Sequence, residues 1–264
     1  MGVGICGSEE CGGRYLVFSD VDETLVGLKT MFDFLRFVSV PWYEQVADGI
    51  RALGAAGTPR SEVNRAYYRL WAGRSVEETE RLGTEWYALR SAGADFFLPG
   101  TLAELARHRA AGAGVVLVSG SFPPCVTPIA AEVGAAHVLC TELLVENGTY
   151  TGEIREPVIG EGKRSAVRRT LRLHPGIDAR DCYAYGDHVS DIPMFDCVGR
   201  SYAVGDDPAL ASYPRSPGAE STPDPSAAAH RAGGQEVRDV ADDRAPVPVQ
   251  EEVPPGVEAL MEAR

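Results

Sequence analysis

Two aspartates one residue apart, Asp20 and Asp22, stand at the end of the apolar run LVFS and are followed by Glu23 and Thr24. A second pair, Asp187 and Asp191, lies in GDHVSD, behind the strand-like CYAY. Between the two pairs come Ser119 and Gly120, which close GVVLVSG, and Lys163, which opens GKRSAV. Gathering four carboxylates is costly: two like charges about 4 Å apart repel by roughly 4 kcal/mol at an effective dielectric near 20. Such a cluster requires a cation. Only oxygen donors are offered, with no clustered His or Cys, which selects a hard ion, and Mg²⁺ held by one or two carboxylates plus a substrate phosphate fits best. Lys163, the Ser119 hydroxyl and the Gly120 amide are donors suited to phosphate oxygens.

These residues need a scaffold that brings them together. Apolar strand-like segments are read at Tyr15–Ser19, GVVLVSG, AHVLCTEL, DCYAYGD and SYAVG, and helical patterns separate them. That alternation predicts a three-layer α/β fold, a doubly wound, mostly parallel sheet whose strand C-termini line one ligand-binding edge. Asn147-Gly148 between β-prone flanks predicts a tight hairpin. Residues 28–94 read as helical throughout, with helices opening near Lys29, Pro41, Pro59 and Ser75. Trp42, Tyr67, Tyr68, Trp71, Trp86 and Tyr87 supply that bundle's core. The expected organisation is a flexible lead-in (1–13), a core made of 14–27 and 95–212, a helical cap at 28–94, and an acidic, Pro-rich tail (213–264). The tail holds 8 of the 18 prolines and 10 acidic against 5 basic residues, a composition expected to be disordered, with a short helix at PGVEALMEAR possible.

A net charge of −13 argues against nucleic acid as a partner. No apolar run approaches the roughly 20 residues that span a bilayer, and the first residues lack the basic start and apolar stretch of a signal peptide, so the expectation is cytoplasmic. Six irregularly spaced cysteines outline no disulfide framework, and Cys6 with Cys11 is a weak metal pair. Of 25 basic residues, only Lys29 and Lys163 are lysine, which singles out both positions.

The ordered set DVDET, SGS, a Lys opening a helix and GDHVSD resembles the four motifs of the haloacid dehalogenase-like phosphohydrolases. It looks closest to the phosphoserine-phosphatase-like branch, in which a helical cap is inserted between the first two motifs. The resemblance covers about 15–212 and implies Asp20 as nucleophile, forming an aspartyl-phosphate, and Asp22 as general acid and base. It implies phosphate binding by Ser119, Gly120 and Lys163, and Mg²⁺ held by Asp20, the Asp22 carbonyl and Asp187. Thr24 and Asp191 would support, Asp191 by anchoring Lys163 or a metal-bound water. Glu23 is expected to face solvent, and His188 to be a loop residue rather than a ligand.

Branch members acting on phosphoserine place a glutamate about nine residues after the nucleophile, where this chain has Lys29. A cation there repels an ammonium and attracts a carboxylate, a second phosphate or a sugar hydroxyl. The expected function is a Mg²⁺-dependent hydrolase of a small phosphorylated metabolite. A phosphotransferase or mutase with the same nucleophile, and a non-catalytic phospho-receiver or binding module, stay open, as does a protein partner for the tail.

Overall fold

The computed structural model describes residues 13–211. The expectations for residues 1–12, Cys6 and Cys11 among them, and for 213–264 lie outside the described residues. Five parallel strands form the main sheet: β1 (Leu16–Ser19), β2 (Gly114–Ser119), β3 (His137–Cys140), β6 (Tyr183–Gly186) and β7 (Arg200–Ala203), in the spatial order β3-β2-β1-β6-β7. The order reverses beside β1, since β2 and β3 lie on one side of it and β6 and β7 on the other. A crevice at the carboxyl ends of β1 and β6 follows from that reversal.

Every residue of β1 and β2 is buried, which explains their unbroken apolar character. Alternate side chains feed opposite faces: Val17, Val115 and Leu117 join one apolar cluster, Leu16, Phe18, Val116 and Val118 the other. Helices α7 (Glu161–Leu173) and α8 (Ile192–Phe195) cover the second face through Ala166, Val167, Met194 and Phe195. Helices α5 (Pro99–Ala110) and α6 (Pro123–Val133) cover the first through Leu105, Val126 and Ile129. A last short helix, α9, spans Pro208–Ala211.

Four helices are inserted between β1 and α5: α1 (Thr30–Val38), α2 (Val40–Ala55), α3 (Arg60–Arg69) and α4 (Val76–Arg90). Ser39 caps α2 by accepting from the Trp42 N–H, and Ser75 caps α4 by accepting from the Glu78 N–H. Their aromatics pack inward, with Phe34 stacked on Trp71 at 5.4 Å and Trp71 tilted on Phe122 of the core at 5.1 Å. The inserted helices therefore share one continuous apolar cluster with the sheet. Gly83 of α4 is required by that docking, since a Cβ there would lie 2.2 Å from the Pro124 carbonyl oxygen.

Strands β4 (Leu143–Glu146) and β5 (Thr149–Ile154) form the antiparallel hairpin. Asn147 and Gly148 both take positive φ, 50° and 77°, as its tight turn demands. Helix α3 ends at Arg69 in a tightening turn, and beyond it the Gly73 N–H donates to the Tyr150 carbonyl of the hairpin at 2.8 Å. No helix among the described residues is long and apolar enough to cross a membrane.

Candidate active site

The β1–β6 ladder extends one residue past β1, where the Asp20 N–H donates to the Tyr185 carbonyl at 2.9 Å. The chain then turns: Leu25 and Val26 N–H groups return to the Val21 carbonyl at 2.9 and 3.0 Å, and Glu23 sits in the left-handed region at φ 57°. A left-handed residue inside this turn is a position that suits glycine better than glutamate. Glu23 is exposed there and pairs with Lys29.

Lys163, in the first turn of α7, is only 2 % exposed. Its Nζ lies 2.8 Å from Asp20 Oδ1 and 2.6 Å from Asp191 Oδ1. Asp191 is wholly buried and its Oδ2 accepts from the His188 N–H at 3.1 Å. It packs on the end of β6, where a Cβ on Gly186 would lie 2.6 Å from that Oδ2, so the glycine makes the approach possible. The Thr24 hydroxyl donates to Asp187 Oδ1 at 2.9 Å and ties the turn after β1 to the turn after β6. Oxygens of Asp20, Asp187 and Asp191 all fall within 4.8 Å of one another.

One ammonium among two buried carboxylates and the half-buried Asp187 leaves excess negative charge. Burial, then the charges of Asp191 and Asp187, push Asp20 well above the usual carboxylate range although Lys163 opposes the shift. Burial and Asp191 push Asp187 up to about 6. Burial pulls the Lys163 ammonium down, but Asp191 and Asp20 outweigh it and its pKa is raised. An all-oxygen cluster with raised proton affinity has the donor chemistry a hard divalent cation takes. Asp191 already gives one oxygen to Lys163 and the other to the His188 amide, so Asp20 and Asp187 are the side chains freer to hold an ion.

Ser119 closes β2 and is 1 % exposed; its Oγ accepts from the Ser121 N–H at 3.0 Å, which leaves the hydroxyl proton for another acceptor. Asp22 turns toward the inserted helices: Thr30 at the start of α1 donates its N–H and hydroxyl to Asp22 Oδ1 at 3.2 and 2.7 Å. Burial raises the Asp22 pKa, and the Thr30 bonds, then Lys29 and Lys163, draw it back. Lys29 stands at the exposed rim and His188 holds its own loop by accepting from the Ser190 N–H at 3.0 Å.

Four contributors escaped sequence reading. The sequence assigns no role to Thr30, Ser121 or Asn64, and places Tyr68 only in the apolar core of the inserted bundle. Yet Asn64 Nδ2 and the Tyr68 hydroxyl both donate to the Gly120 carbonyl, at 3.0 and 2.7 Å. The available signal was Asn64 itself, a poor helix former in mid-helix.

The profile of the haloacid dehalogenase-like hydrolases matches residues 17–196, well over half of the chain. This chain belongs to the haloacid dehalogenase-like hydrolases. It is 42% identical over 106 residues to a probable phosphatase of Mycobacterium tuberculosis, a match that covers 40% of this hydrolase and 37% of that protein. It is 30% identical over 211 residues to the inhibition of morphological differentiation protein of Streptomyces azureus, covering 75% and 74% of the two chains. Identity to a phosphoserine phosphatase of M. tuberculosis is 31% over 214 residues, covering 77% and 68%. Among solved structures, a protein of unknown function from Bordetella pertussis superposes with a TM-score of 0.67 at 24% identity, covering 75% of this hydrolase and 93% of that chain. A phospho-aspartyl intermediate analogue of phosphoserine phosphatase superposes with a TM-score of 0.58 at 23% identity, covering 77% and 95%. The fold is theirs.

Proposed function

We propose that this hydrolase is a Mg²⁺-dependent phosphomonoester hydrolase that works on a small phosphorylated metabolite through an aspartyl-phosphate on Asp20. The observation that carries the reading is the buried Lys163 ammonium between Asp20 and Asp191, with an Asp187 oxygen inside the same 4.8 Å cluster. The relatives described as a probable phosphatase and a phosphoserine phosphatase support it.

Asp20 Oδ1 takes both the Val21 N–H, at 2.7 Å, and Lys163. These bonds fix the carboxylate for attack on phosphorus. As the new P–O bond forms, the ester P–O bond breaks and the leaving alkoxide takes the proton of Asp22. Asp22 then draws a proton from water, the resulting hydroxide attacks phosphorus, and the P–O bond to Asp20 breaks to return the carboxylate and release phosphate. Lys163, the Ser119 hydroxyl and the Gly120 amide receive charge on the phosphoryl oxygens. Asp20, Asp187 and the Asp22 carbonyl would hold Mg²⁺, which supplies charge neutralisation at the phosphoryl group. Burial raises the Asp22 pKa, the direction that favours a proton-donating side chain.

The test is a phosphate-release screen over phosphomonoesters with Mg²⁺ and with chelator, alongside Asp20→Asn. The expected result is Mg²⁺-dependent release that the variant loses. Phosphoryl transfer to an alcohol acceptor in preference to water would make the protein a transferase, and a phospho-form lasting hours would make it a receiver.

A further inference from the structure

Helix α7 carries Lys163 in its first turn and is closed by His174, about 16 Å further along the helix axis. There His174 meets His137, the first residue of β3. The strands are parallel, so the two rings come together at the edge where strands begin, opposite the edge that holds Asp20 and Asp187. Their Nε2 atoms lie 3.3 Å apart, and both residues keep part of their surface in solvent.

The tautomer of His174 is fixed by its neighbour. Its Nδ1 lies 3.0 Å from the Thr170 carbonyl, which only accepts, so in the neutral ring Nδ1 carries the proton and Nε2 is a bare lone pair. A metal-ligating imidazole is oriented in the same way, one nitrogen donating to a carbonyl while the other is left for the ion. His137 presents an equivalent Nε2 lone pair in its own Nδ1–H tautomer.

A hydrogen bond and a shared ion predict different geometries for the pair. A hydrogen bond with both nitrogens aimed along the N···N line would hold the ring centroids about 5.6 Å apart at this separation. Two imidazoles bound at about 2.0–2.1 Å to one tetrahedral ion would place their nitrogens about 3.3–3.4 Å apart and their centroids about 5.2 Å apart. The observed separations are 3.3 and 5.1 Å, with the ring planes at 69°. The pair is bent off the N···N line by the amount a shared ion requires.

We propose that His137 and His174 form a second metal site, separate from the aspartate cluster, that takes a borderline transition ion such as Zn²⁺, with water in the remaining coordination positions. Two imidazole nitrogens select such an ion over Mg²⁺, which takes oxygen donors. An ion there clips the end of α7, the helix that carries Lys163, to the edge strand β3. The site stands apart from the phosphatase reading.

The experiment titrates Zn²⁺ by calorimetry into the full chain in saturating Mg²⁺, which competes for the aspartate cluster, for wild type, His137→Gln and His174→Gln. The expected result is one Zn²⁺ per wild-type chain that both variants bind about tenfold or more weakly, since even an outer partner of a metal ligand is worth that much. The wild-type melting temperature should rise by several degrees once Zn²⁺ is at about a hundredfold excess over its dissociation constant, and the rise should be lost in both variants. If neither variant folds, nitrogen NMR of the wild-type imidazoles serves, and Zn²⁺ should shift Nε2 of both rings. Equal binding by wild type and both variants would place the ion elsewhere. No binding by the wild type, or unmoved Nε2 signals, would leave the pair a plain hydrogen bond, and each of these outcomes overturns the assignment.

Discussion

Thr30 donates its backbone N–H and its hydroxyl to the same carboxylate oxygen of Asp22, at 3.2 and 2.7 Å, and its Oγ1 lies 2.8 Å from the Ser121 hydroxyl. With the single Thr30 proton committed to the carboxylate, Ser121 donates to Thr30. A chain of hydroxyls thus links the turn after β2, through the first residue of α1, to the side chain proposed as general acid. The inserted helices and the core meet at the acid itself. Replacing Thr30 by Val keeps the shape and removes the hydroxyl. One hydrogen bond to a charged group contributes about 1.5–3 kcal/mol, so kcat should fall by roughly tenfold or more. Because Thr30 lowers the Asp22 pKa, the alkaline limb of the pH–rate profile should move upward in Thr30→Val and return in Thr30→Ser. A lower rate with an unmoved limb would assign Thr30 a packing role only.

Lys163→Met strips the ammonium from between two buried carboxylates, Asp20 and Asp191. Removing one partner of a buried pair destabilises by about 3–5 kcal/mol. In chelator, thermal unfolding of the variant should come roughly 10 °C earlier, at about 2–4 °C per kcal/mol for a domain this size. An unchanged melting temperature would mean that Lys163 does not neutralise this cluster.

The metal-free protein should prefer mild acid as far as Asp187 is concerned. Its folded pKa, about 6, lies above the unfolded value near 3.8. The folded state therefore holds the proton more tightly, and this contribution to stability is complete below about pH 4 and lost as pH rises through about 6. Asp20 acts in the same direction. Mg²⁺ competes with those protons, so the rise in melting temperature on adding Mg²⁺ should be larger at pH 7.5 than at pH 5. An equal rise at both values would place the ion away from Asp187.

Much of this arrangement was legible in the chain because its signals are local. The apolar β1 and β2 segments, the Asn147-Gly148 turn and the helix-opening residues each follow from near-neighbour chemistry, and they put Asp20, Ser119 and Asp187 at strand ends. What stayed hidden depends on tertiary approach. Thr30 is 8 residues from Asp22 in a separate element, and Asn64 is 56 residues from Gly120. No spacing rule connects a helix face to a turn that distant.

Lys29 is the remaining departure, a cation where phosphoserine-acting members of the branch carry a glutamate. It is exposed and paired with Glu23, free to exchange that partner for an anionic group on a leaving alcohol. Lys29→Met should raise KM for esters bearing a carboxylate or second phosphate by several-fold, about 1 kcal/mol for a partly exposed ion pair, and leave KM for neutral esters unchanged. Identical constants for every ester in wild type and variant would remove Lys29 from substrate recognition.

The most direct measurement is the fate of the phosphoryl group during turnover. The hydrolase, mixed with a turned-over phosphomonoester and Mg²⁺ and quenched in acid, should yield a peptide around Asp20 heavier by one phosphoryl group, absent in chelator and in Asp20→Asn. A phosphoryl group on another residue, or steady turnover by Asp20→Asn with no labelled peptide, would contradict the account.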